Sequence, residues 1–339
     1  MTVTIGLRQS HSFPSVPFQF PNDMKKYSAT FGILLTLSAV VTSCGGSGKP
    51  ADGKWLSADD VCVAIDETFR PIMEEEIDIF SKKHISANVC PVFCNENEAL
   101  RLLMADSVRC CIATRKLSEK EQAALRANSL PLIQTPIATD AFALIVNKNN
   151  PDTLITLDEI KQIVTGRLTR WEQLAHTSKK GELQLVFDAN GSSTMRYMRD
   201  SLNAGEDLSG NLFAQGSNQA VIEAVRENPD IIGVVGTDWL KQKGDSAMSS
   251  FRHLDVNVMM VSRHSGDAED FYRPYQYYIA TGDYPLLRTV YVMTTDPRTT
   301  SMVKNFYFFL KGQDGQKVIC NNSQLLPRSQ VQVRNVSVK

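Results

Sequence analysis

Between Val61 and Leu310, short apolar runs of strand length alternate with stretches whose apolar residues recur at helical spacing, and few architectures accommodate that rhythm. Val61 to Ile65, Asn88 to Phe93 and Val108 to Ala113 read as strands, separated by helices over Arg70 to Lys83 and Glu98 to Ala105. In the first helix Ile72, Met73, Glu76, Ile77 and Phe80 fall at helical spacing. Ser118 opens another helix with Glu121 three residues on, and Thr156 does the same with Glu159, the spacing of a capping box. The rhythm continues with strands at Ala141 to Val146, Leu183 to Phe187, Ile231 to Val235, Val256 to Val261 and Val290 to Met293. Helices are expected over Thr156 to Val164, Thr194 to Leu202, Gln219 to Glu227 and Thr300 to Leu310. Such alternation builds an α/β fold around an open, largely parallel sheet. At 339 residues the chain exceeds the roughly 250 to 300 at which one core stops growing, so two lobes joined by crossing strands are expected.

The amino terminus departs from this rhythm. Met24-Lys25-Lys26 is followed by an apolar run from Phe31 to Val41 and then by Thr42-Ser43-Cys44-Gly45-Gly46-Ser47. A basic start, a short apolar stretch and small residues before the cut describe a secretion signal, and the run falls short of the ~20 residues that a membrane helix needs. Its end is similar to that of a bacterial lipoprotein signal, in which the Cys after two small residues receives lipid. Residues 1–43 are thus expected to be an upstream extension and a signal peptide, with Met24 as the initiator, Cys44 as the lipidation site and 44–58 as a linker. Removing Arg8, Lys25, Lys26 and Asp23 with the leader turns 36 basic and 37 acidic residues into 33 and 36, so the charge moves from −1 to −3 over 296 residues. The expected location is the periplasm or cell envelope, with the chain anchored to the membrane through lipid on a flexible stalk.

That charge offers no basic footprint for nucleic acid, and 42% hydrophobic side chains are those of a packed protein. After Cys44, six Cys remain: Cys62, Cys90, Cys94, Cys110, Cys111 and Cys320. Cys62, Cys90, Cys110 and Cys111 lie inside apolar runs, where a thiol packs as a small hydrophobe, so free buried thiols are preferred to a bridge. The chain has no Cys-x-x-Cys pair, no His-Glu-x-x-His helix and no Gly-x-Ser-x-Gly elbow, so neither a metal, a cofactor nor catalysis is expected. Asp66-Glu67 and the Glu74-Glu75-Glu76 run read as surface charge complementing a helix dipole.

Thr139-Asp140-Ala141-Phe142-Ala143-Leu144-Ile145-Val146-Asn147-Lys148-Asn149-Asn150-Pro151, then Leu157-Asp158-Glu159-Ile160, then Thr165-Gly166-Arg167-Leu168-Thr169-Arg170-Trp171 resembles the phosphate-binding lipoproteins of bacterial ABC importers. Thr114-Arg115-Lys116-Leu117-Ser118, Asn190-Gly191-Ser192-Ser193-Thr194 and Ile231-Ile232-Gly233-Val234-Val235 follow in that family's order, and the likeness spans about residues 59–328. The resemblance implies a type II periplasmic-binding-protein fold with two lobes, each a mixed, mostly parallel sheet flanked by helices. The lobes would be 59–138 with 286–339, and 139–285. It also implies a monomer that binds inorganic phosphate or a related oxyanion, and that docks on an ABC permease in the inner membrane.

An oxyanion needs fixed donors in exchange for water, and helix N-termini supply them. By resemblance, Thr68, Phe69, Thr114 and Arg115 would hold the ligand from one side, and Ser192, Ser193 and Thr194 from the other. By themselves, Ser and Thr ahead of a helix read more simply as caps. Two departures from the family's pattern stand out. Asp188 replaces an Arg on the strand leading into the second turn, and Asn95-Glu96-Asn97-Glu98 replaces a Gly/Ser loop. At an effective dielectric of ~20, a charge pair at 4 Å is worth about 4 kcal/mol, so exchanging attraction for repulsion could remove most of the binding energy. Arg115 and Arg196 could restore positive charge, or Arg115 could pair with Asp188 and Arg196 lie on a solvated face. The alternative is an envelope interaction or sensing protein that keeps the fold without the anion. The cluster Tyr272, Tyr275, Tyr277 and Tyr278 reads as hinge packing or as a docking surface.

Overall fold

In the computed structural model, residues 58–202, 211–241, 251, 253–266 and 270–330 are described. The segment expected to be a signal peptide, the expected lipidation site Cys44 and the expected linker up to residue 57 lie outside the described residues.

Three strands open the fold, β1 (Asp60–Asp66), β2 (Asn88–Cys94) and β3 (Cys110–Ala113), joined by helices α1 (Arg70–Lys83) and α2 (Glu96–Met104). Pro71 sits in the first turn of α1, where its missing N–H costs nothing, and the Asn95 side chain caps α2 through the Glu98 N–H. After α3 (Glu119–Ala127) comes the long β4 (Ile133–Asn147), then β5 (Leu154–Thr156) and α4 (Leu157–Val164). Both expected capping boxes form, Ser118 with Glu121 and Thr156 with Glu159. The chain continues through β6 (Gln184–Phe187), α5 (Ser193–Tyr197), β7 (Leu212–Ala214), α6 (Asn218–Glu227) and β8 (Ile231–Gly236). It closes with β9 (Val256–Val258), β10 (Met260–Ser262), β11 (Phe271–Tyr272), α7 (Gln276–Thr281), β12 (Leu287–Thr294), α8 (Met302–Lys311), α9 (Gln313–Asn322) and β13 (Leu326–Pro327).

The main sheet runs β2-β1-β3-β12-β4-β8-β6-β7, with β13 and β9 also on β4. It is more mixed than the strand and helix alternation predicts. Parallel pairing is confined to the two ends, β2-β1-β3 and β8-β6-β7, where crossover helices connect the strands. In the middle β12 runs antiparallel to both β3 and β4, and β4 antiparallel to β8. These are the segments that carry the chain across and back, so their directions oppose. Four buried clusters line the sheet. Two draw on residues 61–138 and 290–325, and two on residues 141–286, so β4 and β12 are common to both halves.

Several boundaries differ from expectation for local reasons. The strand expected at Ala141 to Val146 extends to Ile133, because its first half pairs with β12. The strand expected over Val256 to Val261 divides at Met259, where pairing passes from β4 to β5. The helix expected over Thr194 to Leu202 turns into a π-helical turn at Met198–Leu202. A second helix, α9, follows α8 across Gly312. All six described Cys are free thiols, with Cys110 and Cys111 buried and the others half-buried. Tyr272 and Tyr278 pack against the core with ring centroids 4.6 Å apart and planes tilted by 45°, whereas Tyr277 stays exposed. Among the described residues no helix is long and apolar enough to cross a membrane.

Gly233 sits where α6 packs closely on the sheet. A Cβ there would lie 2.6 Å from Val225 Cγ2 and 2.8 Å from Val221 Cγ1 on α6, and 2.9 Å from Ile145 Cγ1 on β4. Gly233→Ala is therefore expected to destabilise the fold by about 1–3 kcal/mol through overpacking; a urea midpoint unchanged from the parent would show that α6 stands off the sheet.

Candidate functional site

Polar side chains gather at the carboxyl ends of the parallel strands, where the chain turns into a helix and where α/β sheets present ligand crevices. The turn after β1 supplies Asp66, Glu67 and Thr68. Asp66 Oδ1 accepts from the Thr68 N–H at 3.2 Å and from its hydroxyl at 3.0 Å, while its buried Oδ2 receives no hydrogen bond. The turn after β6 supplies Asp188, Ser192, Ser193 and Thr194. Ser192 Oγ caps α5 by accepting from the Met195 N–H at 3.1 Å and also donates to Asp188 Oδ1 at 2.6 Å. The cap and the cluster are thus the same hydroxyl. Thr194 Oγ1 reaches Asp188 Oδ2 at 3.3 Å.

Glu96, at the start of α2, is fully buried and bonded on both carboxylate oxygens. Its Oε1 accepts from both the backbone N–H and the hydroxyl of Thr114 at 2.7 Å. Arg196 Nε donates to Glu96 Oε2 at 2.6 Å, and Arg196 Nη2 donates to Thr114 Oγ1 at 2.7 Å. Arg196 therefore faces the cluster instead of lying on a solvated face. This trio joins the two halves, and three further contacts cross beside it. The Asn97 N–H donates to the Gly191 carbonyl at 3.2 Å, Asn218 Nδ2 to Glu67 Oε2 at 2.8 Å, and Trp239 Nε1 to the Thr68 carbonyl at 2.9 Å. At the closest approach a Cβ on Gly236 would sit 2.5 Å from Thr68 Cγ2, so the absent side chain lets the halves meet.

Arg288 on β12 lies 7% exposed beneath the cluster. Its Nε donates to Asp140 Oδ2 at 2.8 Å and its Nη1 to Ser193 Oγ at 2.7 Å. The guanidinium stands 4.0 Å over the Phe142 ring and 5.0 Å from the Phe69 ring, and Nη2 lies 2.8 Å from Asp140 Oδ2 within the same ion pair, off the angle of a hydrogen bond.

Of the residues expected at the site, Thr68, Phe69, Thr114, Ser192, Ser193 and Thr194 are all buried around this cluster. Arg115 is not among its contacts: both of its terminal nitrogens bind Glu121, at 2.8 and 2.9 Å, so it pairs there and not with Asp188. The expectation that Asp66 and Glu76 are surface charge is corrected, since both are buried. Arg288 and Asp140 were missed, although a lone Arg between apolar residues of a strand was a visible signal. The two sit directly opposite in the β12/β4 register.

The charges respond to their surroundings. Burial, and then the Glu96 charge, push the Asp66 carboxyl up to about 7. Burial likewise raises Asp188 and Glu67. Burial works to raise Glu96 as well, but Arg196 and Thr114 outweigh it and hold that carboxyl below its ordinary value. Outside the cluster, burial lifts Asp238 to about 7 and Glu76 to about 9. Among the described residues no group of His, Cys, Asp and Glu could hold a metal ion.

A model of the PBP superfamily domain matches residues 50–312. The phosphate-binding protein PstS of Bacillus subtilis is 21% identical over 318 residues, covering 91% of this chain and 97% of that protein. A putative phosphate ABC transporter substrate-binding protein from Clostridium perfringens, solved with bound phosphate, superposes with a TM-score of 0.61 at 21% identity, over 80% of this chain and all of the other. An ABC-type phosphate transport receptor from Vibrio cholerae gives 0.57 at 19% identity, over 76% and 96%. At such identities the solved structures establish the likeness of fold.

The raised carboxyls carry a stability prediction. Unfolded Asp and Glu lose their protons near pH 4, whereas folded Asp66, Asp238 and Glu76 keep theirs to about 7, 7 and 9. Between those limits the folded chain binds more protons, so stability falls as pH rises. The urea midpoint is expected to drop from pH 5 to pH 8.5, and Glu76→Gln to shrink the drop. A midpoint that rises over this range would contradict the assignment.

Proposed function

The chain belongs to the PBP superfamily, and from that membership we propose that it is the lipid-anchored solute-binding protein of an ABC importer, holding an oxyanion between two closing lobes. The lobes are 59–138 with 286–339, and 139–285, and the anion is inorganic phosphate. The observation that carries this reading is Arg288, a buried guanidinium bonded to the Ser193 hydroxyl, whose Nη2 meets Asp140 Oδ2 at 2.8 Å without hydrogen-bond alignment. Such a guanidinium keeps N–H groups that no acceptor meets in line, and an oxyanion oxygen would satisfy them. Thr68, Ser193 and the N-terminal turn of α5 stand on the same cluster, and Phe69 closes it on the apolar side. The name of the Bacillus subtilis relative supports the choice of phosphate. Lobe closure follows as hinge motion that the ligand biases only by binding the closed form better. Lipid on Cys44 keeps the chain in the envelope, where the closed monomer docks on its permease.

A second reading has its own support. Asp188 accepts from Ser192 and Thr194, and Glu96 accepts from Thr114. Donors suited to an anion are thus already met by the protein's own carboxylates, as in an envelope interaction or sensing protein that has given up the ligand.

Calorimetric titration of the chain lacking residues 1–43 separates the two. Heat at micromolar phosphate supports import, whereas silence toward phosphate, sulfate and molybdate supports the second reading. Thr194→Val, which preserves shape but removes the hydroxyl, is expected to weaken phosphate binding about tenfold or more, the value of a hydrogen bond to a charged group, while the chain, which also loses the bond to Asp188, still folds. Equal affinity would remove Thr194 from the site.

A further inference from the structure

We propose that Glu96 is a tethered stand-in for the anion: it clasps the two halves of the ligand-free chain together and sets the affinity of the site. The proposal rests on the reading of the cluster as an anion seat.

The geometry is that of a bound oxyanion. One carboxylate takes a backbone N–H and a hydroxyl from Thr114 in one half, and the Nε of Arg196 from the other. Each bond is 2.6 or 2.7 Å long, in the range of charge-assisted hydrogen bonds. Glu96 is fully buried and Arg196 largely so, which makes the pair stronger than one exposed to water. Its position on the first turn of α2 also sets its negative charge against the positive end of the helix dipole. The Asn97 N–H to Gly191 carbonyl bond, one residue along, locks the same turn onto the opposite half.

A phosphate oxygen that seeks the Thr114 and Arg196 donors must first displace Glu96, because two anions cannot share them. The apparent affinity is then the intrinsic affinity reduced by the fraction of chains in which the clasp is open. The chain would respond only to concentrated ligand, and its closed form would be present without any.

Glu96→Ala and Arg196→Ala, in the chain lacking residues 1–43, test this by small-angle scattering and by phosphate calorimetry. The ligand-free parent is expected to give a compact profile. Both variants should give an expanded one, with melting curves showing that they remain folded. Glu96→Ala should bind inorganic phosphate at least about tenfold more tightly than the parent and become compact on binding, whereas Arg196→Ala, which loses a donor, should gain nothing. If Glu96→Ala stays as compact as the parent without ligand, or binds phosphate more weakly, the proposal is overturned. If both variants expand but no form of the chain takes up phosphate, the clasp stands and the phosphate reading fails. Should Glu96→Ala not fold, Glu96→Gln, which keeps the acceptor oxygen without the charge, decides by the same two measurements.

Discussion

Everything at the centre of this protein depends on how buried carboxylates are paired. Asp66, Glu96, Asp140 and Asp188 lie almost wholly out of water, with Glu67 half-buried beside them. Arg196 and Arg288 are the guanidiniums bonded to them. An isolated charge in such a place would be prohibitive, so each must find a donor, share a cation or keep its proton. Glu96 and Asp140 take the cations, Asp188 takes hydroxyls, and Asp66 is held near the neutral form. Those solutions use the turns after β1 and β6 and the start of α2, and they tie the two halves together. The fold and the site are therefore one set of interactions.

The topology explains why these groups meet. Each end of the sheet is a parallel block whose strands run into helices at one edge, so every such turn presents backbone N–H groups and short polar side chains at the same level. β4 and β12 bridge the blocks as an antiparallel pair and place Arg288 and Asp140 between them. A ligand at that level would touch both halves at once, as the proposed closure on binding requires.

Much of this was legible in the sequence. The capping boxes at Ser118 and Thr156 and the span of α1 follow from local side-chain chemistry, which tertiary context leaves alone. The turns carrying Thr68, Thr114 and Ser192 to Thr194 could be placed because ordered blocks of sequence match a known family. What could not be read was pairing at a distance. The length of β4 and the antiparallel centre of the sheet depend on strands more than a hundred residues away. Arg196 could as well have faced solvent, because only the approach of Glu96 from the other half decides its partner. The runs at Asp66 and Glu76 looked like surface charge because helix starts favour acids, and their burial comes from the packing of the halves and the core.

The central claim is that the cluster is an anion seat whose donors the protein's own carboxylates occupy in the absence of ligand. A crystal structure grown in saturating phosphate tests it most directly. The account predicts an anion bonded to the Arg288 guanidinium, Ser193 and the Thr114 N–H, with Glu96 turned away from Arg196. Phosphate absent from the cluster while Glu96 and Asp188 keep their present partners would contradict it.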